Sequence, residues 1–129
     1  MLNSLENTFL HSYFIIKKDH QKLFYMYMNF DALPQNSQKI ILQFKEMGKN
    51  FFAEFKHLYD IQELPFSDDF IEECFFQLGL SFFRLEKLKK LLTPNSEFKY
   101  LRNQYIFLEN DQIKITFNKI KEHFILLNS

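Results

Sequence analysis

Residues Cys74 to Phe83, CFFQLGLSFF, run for ten positions without a charge inside a longer apolar stretch, Asp69 to Leu92. Phe75, Phe76, Leu78, Leu80, Phe82 and Phe83 fall on more than one side of any helix drawn through them. A surface helix carries one apolar stripe, whereas a helix that is apolar nearly all round has to be buried. The stretch therefore predicts a central helix over 69–92 with the rest of the chain laid against it. Its ends agree with that reading. Asp68, Asp69, Glu72 and Glu73 crowd the start and Lys87, Lys89 and Lys90 the finish, the order that complements a helix dipole. Gly79, inside the run, predicts close packing on a neighbour.

What surrounds that helix follows from what the chain lacks. There is no Val, and only three Thr, two Ala and two Gly. A strand-rich fold draws on β-branched residues, and tight turns draw on Gly and Pro. Two Gly and three Pro in 129 residues leave room for few turns, hence long elements, hence helices. The fold class expected is all-α: a compact bundle of about five or six helices forming a single domain over 1–129. A chain of this length can bury a substantial core. The heavy use of Phe, Lys, Ile and Asn also matches an AT-rich coding sequence, so part of the Phe richness needs no functional reading.

Along the chain, Leu5, Phe9, Tyr13 and Ile16 are spaced for an amphipathic helix over Asn3 to Lys18, with Asn3 and Glu6 placed as a capping box. Leu23, Met26, Tyr27 and Phe30 continue at helical spacing up to Leu33-Pro34, as a second helix or as the far half of one long bent helix. Asn36 or Ser37 can cap the next. There Ile40, Phe44, Met47, Phe51, Phe55 and Leu58 step by threes and fours to about Ile61, with Gly48-Lys49-Asn50 as a possible kink. Ser67 or Asp68 opens the central helix, and Thr93-Pro94-Asn95 closes it. Beyond Ser96 two readings compete. Residues 104–117 fit a small β-hairpin turning at Asn110-Asp111, while Ile113, Phe117, Ile120, Phe124 and Leu127 carry a helical repeat. Helix is preferred for Lys119 to Leu127.

Few features carry chemistry. Glu54 and His57 form a Glu-x-x-His pair on one helical face, but a di-iron bundle needs two such pairs and further carboxylates. One Cys cannot supply a Cys-rich zinc site. No metal and no cofactor is expected. Cys74 sits in apolar surroundings beside Glu72 and Glu73, and both influences raise a thiol's pKa, so it reads as a buried core residue. No Gly-rich phosphate loop and no acid–base pair is visible. Nothing argues for an enzyme, and no catalytic residue is assigned.

Two binding readings remain. Adjacent aromatic residues, Phe51-Phe52, Phe75-Phe76 and Phe82-Phe83, project from more faces than one layer of neighbours covers. Exposed apolar patches mark partner surfaces, so the leading expectation is a protein-interaction module, an adaptor, chaperone-like binder or complex subunit. Its partner would be another protein or a second copy. The alternative is a nucleic-acid-binding regulator. A helix, a turn at Thr93–Asn95 and a helix bearing Lys99, Arg102, Asn103, Gln104 and Tyr105 resemble a helix-turn-helix, with the hairpin as a wing. From Arg84 to Lys121 there are nine bases against four acids, yet the whole chain has zero net charge, which weakens attraction to phosphates. No stretch has the length and apolarity of a membrane span, and without a leader sequence the expected location is cytoplasmic.

Overall fold

The computed structural model describes residues 21–90 and 96–129. Among them every regular element is helical. Residues 21–28 form α1, followed by α2 (Gln35–Phe55), α3 (Asp69–Lys90) and α4 (Ser96–Leu127), with 3-10 turns at Phe30–Ala32 and Lys56–Tyr59. The all-α expectation holds. Four α-helices, rather than five or six, make up the described residues. The helix expected over Asn3 to Lys18 and the turn at Thr93–Asn95 lie outside them.

Helix α3 occupies the centre because its apolar residues have to be covered from several directions. It packs against α2 and α4, and α1 lies over Phe76 and Leu80. Adjacent Phe residues are thereby sent to different neighbours. Phe75 joins a core with Phe52, Leu78, Ile113 and Phe117, whereas Phe76 stacks on Tyr27 with ring centroids 4.7 Å apart. Phe82 meets Phe51 at 4.9 Å, and Phe83 meets Phe44 edge-on at 5.6 Å. Asp68 starts α3 as its N-cap, its Oδ1 accepting the Ile71 N–H at 2.9 Å. Asp69 and Glu72 add negative charge in the first turn, as the dipole favours.

Both glycines of the chain sit where α2 crosses α3. A Cβ built on Gly48 would lie 1.7 Å from the Phe75 carbonyl oxygen, and one on Gly79 would lie 1.9 Å from that of Phe44. Each glycine is therefore the seat for the other helix's backbone. Close packing at Gly79 is as expected, but Gly48 is not a kink: α2 runs unbroken through it. The cost of a mid-helix glycine, about 1 kcal/mol against Ala, is offset by the close contact.

Three further boundaries differ from expectation. Helix α2 begins at Gln35 behind Pro34, not at Asn36 or Ser37. The fixed φ of proline suits a helix start, and the Gln38 side chain donates back to the Phe30 carbonyl at 3.0 Å. The α-helix ends at Phe55, not near Ile61. It tightens into the 3-10 turn and is stopped by Asp60 at φ 57°, a conformation that Asp tolerates better than most residues. The third difference is the largest. Residues 104–117 form no hairpin, because α4 is a single helix of 32 residues, about 48 Å long at 1.5 Å per residue. Glu109, Ile113, Thr116, Phe117 and Ile120 all need the same buried face, and only a helix places residues at these spacings side by side. Asn110 and Asp111, the supposed turn, lie on its solvent side.

Candidate interaction surface

Helix α4 is amphipathic in an uncommon way, because both of its faces carry apolar residues. The inner face holds Ile113, Phe117 and Ile120, buried against α2 and α3. It also holds Glu109, whose carboxylate forms a two-point pair with Arg84 of α3. Arg84 Nε donates to Oε1 at 2.8 Å and Nη2 to Oε2 at 3.1 Å, with Ser81 Oγ 3.3 Å from Nη2. Both side chains are nearly sealed from water. At the other end of the helix, His123 Nε2 lies 2.7 Å from Asp68 Oδ2 and its ring packs on Phe70 at 4.5 Å. The His123 hydrogen bond is the main influence lowering the Asp68 carboxyl below its ordinary value, with the Ile71 N–H adding to it. These polar ties fix which face of α4 turns inward.

The opposite face is left outward with Tyr100, Phe107, Leu108, Ile115, Ile125 and Leu126 exposed. Phe107 is 70% exposed and Tyr100 68%, while Leu58 on the neighbouring 3-10 turn is 65% exposed. Phe107 stands between two depressions. One, of about 420 Å3, is a groove between the end of α2 and α4, with Phe51, Phe55, Leu58, Tyr59 and Ile113 among its walls. Its floor is the aromatic cluster around Phe117, which touches Phe51, Phe52, Phe55 and Tyr59 at centroid distances of 5.3 to 5.8 Å. The second, of about 470 Å3, is bounded by Tyr100, Asn103, Gln104, Phe107 and Leu108. Asp111 and Lys114 stand on the rim of the first. An apolar centre with a polar rim is the usual anatomy of a protein-binding patch.

The six paired Phe residues are placed differently. Phe52, Phe75 and Phe76 are buried, and Phe51, Phe82 and Phe83 are half-buried. Of these, Phe51 reaches the groove. Of the candidate nucleic-acid contacts, Asn103 and Gln104 are exposed, while Arg102 and Tyr105 are half-buried and already engaged in interactions. Lys99 lies outside the residues whose side chains are described. Glu54 and His57 are both exposed, and no group of three or more metal-ligating side chains occurs among the described residues. Cys74 is buried. Burial first, then Glu73 and Asp68, push its thiol up to about 11 against the opposing pull of Lys119. A thiol so placed stays protonated at neutral pH and is no nucleophile. A recess of about 710 Å3 between α1, α2 and α3 is rimmed by Asp31, Asp69, Glu72 and Glu73. Tyr27 in its wall is pushed up to about 12 by burial and by those glutamates.

The outward patch on α4 was legible only to a reading that carried the helix through Asn110. Tyr100 and Phe107 are seven residues apart and Ile125 follows eighteen later, which places all three on one line of a 3.6-residue helix. The Arg84–Glu109 and Asp68–His123 pairs, 25 and 55 residues apart, leave no local signal in the sequence. No helix of the described residues is long and apolar enough to cross a membrane. Comparison of the chain with protein families, curated proteins and solved structures finds no match.

Proposed function

We propose that this chain is a non-enzymatic protein-interaction module, docking its partner on the outward face of α4 and the adjoining groove. The observation that carries the reading is the exposure of Phe107, Tyr100 and Leu58 around one groove on a helix whose opposite face is already fully used in the core. A helix needs one apolar stripe to fold onto its neighbours. A second stripe serves something outside. Large aromatic side chains at the centre of such a patch supply much of the binding energy in protein interfaces. The nucleic-acid alternative draws less support, because residues 104–117 form no wing and the chain as a whole carries zero net charge.

The test is substitution at exposed positions, where folding is little affected. Phe107→Glu and Leu58→Glu should each abolish chemical crosslinking of the native protein to itself or to another protein, with the thermal unfolding midpoint retained. Phe66→Glu, at an equally exposed site elsewhere, should change nothing. Crosslinking that survives both groove variants contradicts the reading.

A further inference from the structure

We propose that the Asp68–His123 contact is a pH-sensitive latch that holds the last turns of α4 against the start of α3. One carboxylate serves both helices there. Its Oδ1 accepts the Ile71 N–H at 2.9 Å and so caps α3, while its Oδ2 lies 2.7 Å from His123 Nε2. The Phe70 ring packs on the imidazole with centroids 4.5 Å apart. The end of α4 has little else to secure it. No residue after Ile120 is buried. Phe124 packs on the core, whereas Ile125, Leu126 and Leu127 are exposed.

Protonation gives this latch a working range. An imidazole ordinarily changes charge at about pH 6.5 and an aspartic acid at about pH 4. Between those values both partners are charged, and an imidazolium donating to a carboxylate makes the stronger, charge-assisted bond. Raising the pH through the histidine range leaves an ordinary hydrogen bond. Lowering it through the carboxylate range removes the ion pair and weakens the α3 cap with it. The His123 hydrogen bond and the Ile71 N–H hold the Asp68 carboxyl below its ordinary value, which extends the range on its acid side. Other groups at this end keep their charge state between about pH 5 and 8. Asp69 follows Asp68 at the start of α3, and Lys119, Lys121 and Glu122 lie within about one turn of His123 on α4. Tyr59 of the 3-10 turn, edge-on to Phe117, is raised by burial and stays neutral. Ile125 and Leu126 ride on the turns that the latch secures, so pH sets how firmly that end of the outward face is presented.

Carbon-13 Cα shifts of the full chain, followed over residues 121–127, test this. The ratio of frayed to helical conformers should rise about threefold between about pH 5.5 and 8, the size expected of a partly exposed ion pair. The turns around Phe117 should stay fully helical. His123→Gln keeps a hydrogen-bonding side chain without a titrating ring, and should give the frayed level throughout. Asp68→Asn, which retains an oxygen able to cap α3, should also lose the pH dependence. Terminal shifts of the wild type that do not change over this range overturn the latch. So does a pH dependence that survives in His123→Gln.

Discussion

Gly48 and Gly79 show how much one missing side chain decides. A methyl group at either position would overlap a carbonyl of the facing helix, so the two backbones could not remain this close. Helix propensity alone would favour Ala at Gly48 by about 1 kcal/mol. The packing argues the opposite sign and wins, because overpacking at a backbone contact cannot be relieved by a rotamer change. Gly48→Ala should destabilise the fold by about 2–4 kcal/mol in urea unfolding, although it makes α2 a better helix in isolation. A stabilised variant would mean that α2 and α3 do not touch backbone to backbone. Only half of this was legible in the sequence. A glycine in an apolar run invites close packing, while one between Met47 and Lys49 looks like a break until its partner helix is known. Cys74 needed no partner to interpret, since its apolar neighbours already implied a buried, protonated thiol.

At the scale of elements, the chain specifies helices strongly and their ends weakly. The 3.6-residue repeat placed α2, because apolar positions every three or four residues have no other regular solution, and the all-round apolarity of Cys74 to Phe83 placed α3. The ends depend on single polar residues that compete. Asn36 and Ser37 were plausible caps but were bypassed for Pro34, and Asp60 stopped α2 by taking a left-handed conformation that sequence composition does not announce. The hairpin reading of 104–117 failed for a related reason. Asn110-Asp111 has turn chemistry, but Glu109 has to reach Arg84 and Phe117 has to reach Phe52, and both demands are met only by continuous helix. Arg84–Glu109 therefore sets the rotation of α4 about its own axis. Glu109→Ala, which leaves the Arg84 charge buried, should cost about 3–5 kcal/mol. Replacing both residues by Met and Leu should leave stability much nearer the wild type, since an apolar pair of similar volume removes the desolvation penalty as well as the attraction. Urea unfolding of Glu109→Ala and of the double variant checks this. Equal losses in single and double variants would contradict it.

The whole molecule is a central helix covered by its neighbours, with an outermost helix that has apolar residues to spare. The sequence pointed to the paired Phe residues of α2 and α3 as the aromatic surplus. Phe75 and Phe76 are covered internally, by the α2/α4 core and by α1 respectively. Tyr100, Phe107, Leu108, Ile115, Ile125 and Leu126 stay exposed on α4, which sequence patterning divided at Asn110 and so never displayed as one stripe. The most direct measurement of the central claim is hydroxyl-radical footprinting of the native protein over a range of concentrations, with and without cell extract. Tyr25 and Phe66 are as exposed as Tyr100 and Phe107 and serve as internal references. Tyr100, Phe107 and Leu108 should become protected as concentration rises while the two references stay fully labelled. Labelling of Tyr100 and Phe107 that remains equal to the references in every condition would show that nothing docks on this face.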